Sequence, residues 1–201
     1  KIHNTVIQYN GERLNEFGSV FRYSNFLKKI DDTDPSITNS FARIYLSRSF
    51  IPSIEKNNSY ELNYSVDLLE SSGKLPVIQS SSEFTINSVN RCRLIDVEGA
   101  NSTRKVIAVT GASESYTVVK DNVGRIKGHK VILDNFNPTS FEGTELNLKV
   151  VPNSYDIAGS YNTILFIDTD NTRNNIHGYV DEITSAIGSS ASNYKTFDKN
   201  G

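Results

Sequence analysis

The sequence predicts a mainly β protein, built of antiparallel, β-sandwich-like subdomains with one or two short helices. Three observations carry this. Asn, Ser and Thr are abundant while Lys, Glu and Ala do not dominate, a composition that favours strands and turns over helices. Residues 60–69, YELNYSVDLL, set Leu62, Tyr64, Val66 and Leu68 against Glu61, Asn63, Ser65 and Asp67. That period of two describes a strand with one wet face, as in an antiparallel sheet. Farther along, short apolar runs recur, with Gly99, Gly111, Gly124, Gly128, Gly143 and Gly159 in the gaps.

In chain order, residues 13–30 place Leu14, Phe17 and Phe21 at helical spacing, but Gly18 and the aromatics suit a strand as well, and both readings stay open. Residues 41–51, FARIYLSRSFI, read as a strand. Pro52 and the polar run EKNNS would turn the chain into the alternating strand of 60–69, making a long-looped hairpin. On that strand Val66 should be buried, and its truncation to alanine should cost about 1–3 kcal/mol. Shorter strands follow: EFTINSV and CRLIDV on either side of Asn90 and Arg91, RKVIAVT after the turn EGANST, then SYTVV, GRI, KVIL, ELNLKVV and NTILFID. Over 177–188, Val180, Ile183 and Ile187 at i, i+3 and i+7, with Gly188 as a stop, predict a short helix. Residues 189–201 lack periodicity and read as a tail or arm. A change in strand spacing divides the chain into a β-rich subdomain, 1–104, a smaller antiparallel β subdomain, 105–185, and a C-terminal arm, 186–201.

Composition narrows the function classes. The 201 residues carry 21 basic and 23 acidic side chains without long blocks, so no basic stripe offers itself to nucleic acid. No apolar run approaches the ~20 residues of a membrane span. Cys92 is the single cysteine, so no internal disulfide forms, and a strand position between Arg91 and Arg93 predicts a buried, inert thiol. The chain contains no methionine and begins Lys1-Ile2-His3, which reads as a piece of a longer protein.

Catalytic and metal motifs fall short of their required partners. LFIDTDNT, residues 165–172, ends an apolar run in Asp168 and Asp170, like the start of a calcium loop. Such a loop needs an oxygen ligand at position five, glycine at six and glutamate at twelve, and the chain offers Thr172, Arg173 and Tyr179. A solvated strand end is the expectation. His3, His129 and His177 have no neighbours at metal spacing. TGASES, with Ser113 and Ser115, lacks the second glycine of a nucleophile elbow. No phosphate-cradling loop or dinucleotide fingerprint is present. The expectation is therefore a protein without enzymatic activity, cofactor or bound metal.

One stretch carries a family likeness. VVKDNVGRIKGHKVILDNFNP, residues 118–138, followed by ELNLKVVPNSYDIAGSYNTILFID, residues 145–168, resembles the C-terminal portion of the baseplate wedge (inner ring) proteins of T4-type contractile-tailed bacteriophages. The likeness lies in the order NVGRI, KVIL, F-x-P, L-x-L-K-V-x-P, NSYDI and ILFID; NSFARIYLSRSFIP and YELNYSVDL fit less specifically. It implies a structural subunit of the virion's tail baseplate, assembled in the host cytoplasm. Its partners would be other baseplate proteins and other copies of itself, and there would be no catalytic residues to carry over. The turn at Pro152 leaves Tyr155 and Ile157 as apolar anchors, and Tyr194 and Phe197 do the same in the arm. These four are the candidate partner contacts. A carbohydrate-binding adhesin or tail-fibre or fimbrial β-domain is the alternative, served by ten tyrosines but weakened by the absence of tryptophan. A hydrolase trails both.

Overall fold

A computed structural model describes residues 1–64, 66–68, 76–99, 103–112, 115–159, 164, 165 and 167, together with the backbone of Tyr179–Asp181 and Tyr194–Thr196. The fold is mainly β and antiparallel, with two short helices, as the sequence predicts.

The chain opens with helix α1, Ile2–Tyr9, which runs into a π-helical turn, Asn10–Leu14. Val6 and Tyr9, three residues apart, share its buried side. Gly18, at φ +70°, breaks the helical spacing read over 13–30. Leu14 ends the π-turn, Phe21 lies in the two-residue strand β1, Val20–Phe21, and helix α2 occupies only Tyr23–Asp31. Phe26 and Ile30 form its buried face, and Lys28 and Lys29 sit in its last turn, where the helix dipole favours cations.

The β body follows: β2 Leu46–Phe50, β3 Asn58–Asn63, β4 Ile78–Ser81, β5 Phe84–Ile86, β6 Val89–Glu98, β7 Arg104–Gly111, β8 Tyr116–Lys127, β9 Lys130–Phe136, β10 Ser140–Phe141 and β11 Leu146–Val150. Seven strands form one sheet in the order β10-β5-β6-β7-β8-β9-β3, and three form a second in the order β2-β11-β4. One apolar core lies between them. Leu62, Phe84, Cys92, Leu94, Val106, Val131, Leu133 and Phe136 from the large sheet meet Ile78, Leu146, Leu148 and Val150 from the small one. Residue 104, where the two subdomains were expected to divide, is the first residue of β7, which pairs with β6 from Glu98↔Arg104 to Arg93↔Val109. Beyond the body, β12, Ile157–Ala158, pairs with β1, and β13, Tyr179–Asp181, pairs with β14, Tyr194–Thr196.

Several local expectations are corrected. The hairpin between 41–51 and 60–69 does not form: β2 pairs with β11 and β3 with β9. The alternating strand ends at Asn63; Leu62, Tyr64 and Leu68 enter the β core, while Val66 turns toward the helices. The turn between β5 and β6 falls at Asn87 and Ser88, not at Asn90 and Arg91. Both turn residues have positive φ, 52° and 61°, the requirement of a two-residue hairpin turn whose twist matches its strands. SYTVV and GRI belong to one strand, β8, which shifts register against β7 and places Asn122 at φ +95°. Within the segment expected to be a helix over 177–188, residues 179–181 are β13, paired with a segment that i, i+3 spacing cannot reveal; 182–193 lie outside the described residues.

Candidate functional site

The turn read as a partner contact packs on the protein's own helices. Ile157 is buried in β12 opposite Phe21, in a cluster with Val6, Tyr9, Leu14, Phe26 and Ile30. Tyr155 is half-buried, its ring 5.1 Å from that of Tyr23 at the start of α2. Between them, Asp156 accepts the Tyr23 N–H at 2.9 Å and pairs with Arg22 at 3.0 Å. A helix N-terminus leaves its first N–H groups without intrahelical acceptors, and a carboxylate there also meets the positive end of the dipole. Arg22, the N-cap of α2, makes no side-chain cap bond, so the acceptor comes from 133 residues away. The Tyr23 N–H first, and Arg22 second, hold the Asp156 carboxyl below its usual range.

Further ties join the two chain segments. The Gly159 N–H donates to the Ser19 carbonyl at 2.9 Å, and the Ile167 N–H to the Asn10 side-chain oxygen at 2.8 Å. Phe17 forms an isolated bridge with Ile164. On this ribbon Phe17, Val20 and Ile164 are exposed while Phe21 and Ile157 are buried, so its outer side is apolar. Tyr194 lies in β14; Phe197, Asp168, Asp170, His177 and Ser113 lie outside the described residues.

The remaining chemical candidates resolve into structure. Cys92 is fully buried in β6, as expected of an inert strand cysteine, and burial raises its thiol pKa. Among the described residues, no group of three or more His, Cys, Asp or Glu side chains is placed to hold a metal. A groove on the outer side of the small sheet is lined by Ser49, Ser80, Ser82, Glu142, Glu145 and Asn147, among others, with no aromatic ring in its wall. Asn147 is already engaged there by Ser47, Ser49 and Ser82.

Sequence reasoning missed a buried charged group, Asp96. Its carboxylate accepts the Val77 N–H at 3.1 Å, the Ile78 N–H at 2.6 Å and the Arg104 Nε–H at 2.6 Å, and Arg104 Nη2 completes the ion pair. Alternation along β6 puts Asp96 on the buried face with Cys92 and Leu94, but nothing local signals its partners, the backbone N–H groups of Val77 and of Ile78 at the start of β4.

What the fold and these contacts define is a β body capped by a small helical unit, held by interior packing and by ties between distant segments. Residues 1–49 match a family model described as baseplate structural protein gp6, C-terminal domain III. The match covers helices α1 and α2 and most of β2, about a quarter of the chain, and lies outside the 118–168 stretch that carries the sequence resemblance. No curated protein matches the chain. The similarity supports a structural protein of a phage baseplate.

Proposed function

We propose that this chain is a structural subunit of a bacteriophage tail baseplate that holds wedge or ring proteins together through protein–protein contacts. The carrying observation is the similarity of residues 1–49 to a baseplate structural protein domain. The described geometry is consistent with it: Asp96, Asp156 and Asn147 tie strands and helices of the fold to one another. Its place is the virion tail, its partners other baseplate proteins and other copies of itself, and its assembly takes place in the host cytoplasm. Neither nucleic acid nor membrane is a partner in this reading; no described helix is long and apolar enough to cross a bilayer. Tyr155 and Ile157 serve it from inside, by holding the helical unit in shape, and Tyr194 and Phe197 supply a terminal contact.

Immunogold electron microscopy of virions encoding this chain tests the reading. Label is expected at the distal end of the tail. Intact virions free of the chain, by labelling and by mass spectrometry, would overturn it. A glycan array separates the adhesin alternative, and the baseplate reading expects no saturable sugar binding.

A further inference from the structure

We infer that the baseplate-like segment is half of a discontinuous folding unit, completed by residues 155–159, 164, 165 and 167, into which the β body is inserted. Two independent observations meet here. First, the apolar residues divide into two clusters. One is the β core. The other takes Val6, Tyr9, Leu14, Phe21, Phe26 and Ile30 from the start of the chain and Ile157 from beyond the β body, with Leu165 and Ile167 packed against it. Second, the family match stops at residue 49, inside β2, where the chain leaves the helical cluster and enters the β body.

The ties between the halves are of every kind a folding unit uses. They comprise a ladder, Val20↔Ala158 and Phe21↔Ile157, a cap from Asp156 to α2, the Tyr23–Tyr155 ring contact, and the Asn10–Ile167 bond. The first 31 residues alone offer two short helices, below the length at which helices persist unaided in water. The cluster they build is closed by Ile157, which arrives only after the whole β body has been traversed. Leu46 packs against both clusters, and Val66 reaches from the body into the helical one. Stability is distributed in cooperative subunits of this kind, which open separately. The fold as described therefore carries a seam between the helical unit and the body. The role of that unit in a baseplate rests on the reading above; the seam itself does not.

Hydrogen exchange of the full chain, read by mass spectrometry, tests this. Asp156→Ala and Tyr155→Ala each remove a tie and leave the residues of α1 and α2 unaltered; both ties end at Tyr23 of α2, so α1 is the helix that separates a cooperative unit from local loss of the α2 cap. Exchange in Ile2–Tyr9 and Tyr23–Asp31 should accelerate by about tenfold or more, while Arg104–Gly111 and Lys130–Phe136 stay at wild-type protection. Unchanged exchange in Ile2–Tyr9 in both variants would overturn the inference, whatever happens at the start of α2. So would a uniform loss of protection across β7 and β9, since the chain would then open as one unit. A chain absent from virions that still shows the selective pattern would refute the baseplate reading and leave the seam standing.

Discussion

Asp96 and Val66 show at the residue scale how neighbours far away in sequence decide what a side chain does. The Asp96 side chain is fully buried and that of Arg104 is 12% exposed, so both charges have left water. A buried pair of this kind adds little relative to a well-packed apolar one, but breaking it leaves a charge stranded. Asp96→Asn should therefore cost about 3–5 kcal/mol. Asp134→Asn, which breaks the exposed Arg125–Asp134 pair, should cost about 0–1 kcal/mol. Urea midpoints of the two variants check this, and equal midpoints would mean the buried pair is not bearing the load assigned to it. Val66 was expected in the β core but is half-buried against the helices. Val66→Ala should cost about 1 kcal/mol or less, whereas Leu68→Ala, at a fully buried position, should cost about 2–5 kcal/mol. Denaturation of both variants side by side reads the ordering.

At the element scale, edges and close approaches decide what is tolerated. Strand β4 lies at the edge of the small sheet, where unpaired N–H groups would invite another chain. Here the Ile78 N–H is taken by Asp96, and the Ser81 hydroxyl accepts the Leu94 N–H from β6 at 2.8 Å, so side chains stitch the two sheets together. Between β8 and β9 the backbones run so close at Gly124 that a Cβ would fall on the Ile132 carbonyl oxygen and 2.9 Å from the Leu133 Cα. Gly124→Ala has to separate the strands, and a loss of about 2 kcal/mol or more is expected, in the range of overpacking substitutions. A thermal melt equal to wild type would show that the strands can part freely. Asp156 supplies a pH dependence. Its folded-state pKa lies below the ordinary 3.8, so its tie to α2 is fully present above that value and is lost as pH falls through the lower folded one. Protection of the first-turn amides of α2, taken relative to the intrinsic exchange rate at each pH, should fall on acidification below about pH 4 in the wild type, and Asp156→Asn should abolish that dependence.

Across the whole molecule, a two-sheet body and a helical unit share one chain, with the family-matched segment at the start of the helical unit. A structural subunit needs a body that holds its shape and surfaces that stay put under load, and the antiparallel sheets with their shared core supply the first. Under the proposed baseplate role, the purified chain is expected to self-associate. Sedimentation velocity across a concentration series checks self-association. A monomer at every concentration would confine assembly to contacts with other proteins.

The sequence by itself determined the class of fold, the strand-rich middle and the burial of Cys92. Each rests on local chemistry: alternation, β-branched and aromatic composition, and glycine punctuation all act within a few residues. Most strands from β5 to β11 were legible for that reason, even where a hairpin turn moved by a few positions. Only the tertiary structure decided the partners of those strands. That β2 joins β11 and β3 joins β9 depends on which apolar faces bury one another, and residues 41–69 contain no trace of it. The same holds for α2, whose start is capped by an aspartate 133 residues away. It does not hold for α1, whose Ile2, Val6 and Tyr9 stand at the i, i+4 and i+7 spacing of a helix face. For the candidate contacts, the sequence pointed to the turn at Tyr155 and Ile157; the fold buries Ile157 opposite Phe21 and sets the half-buried Tyr155 against Tyr23, pairings that depend on residues more than 130 positions away.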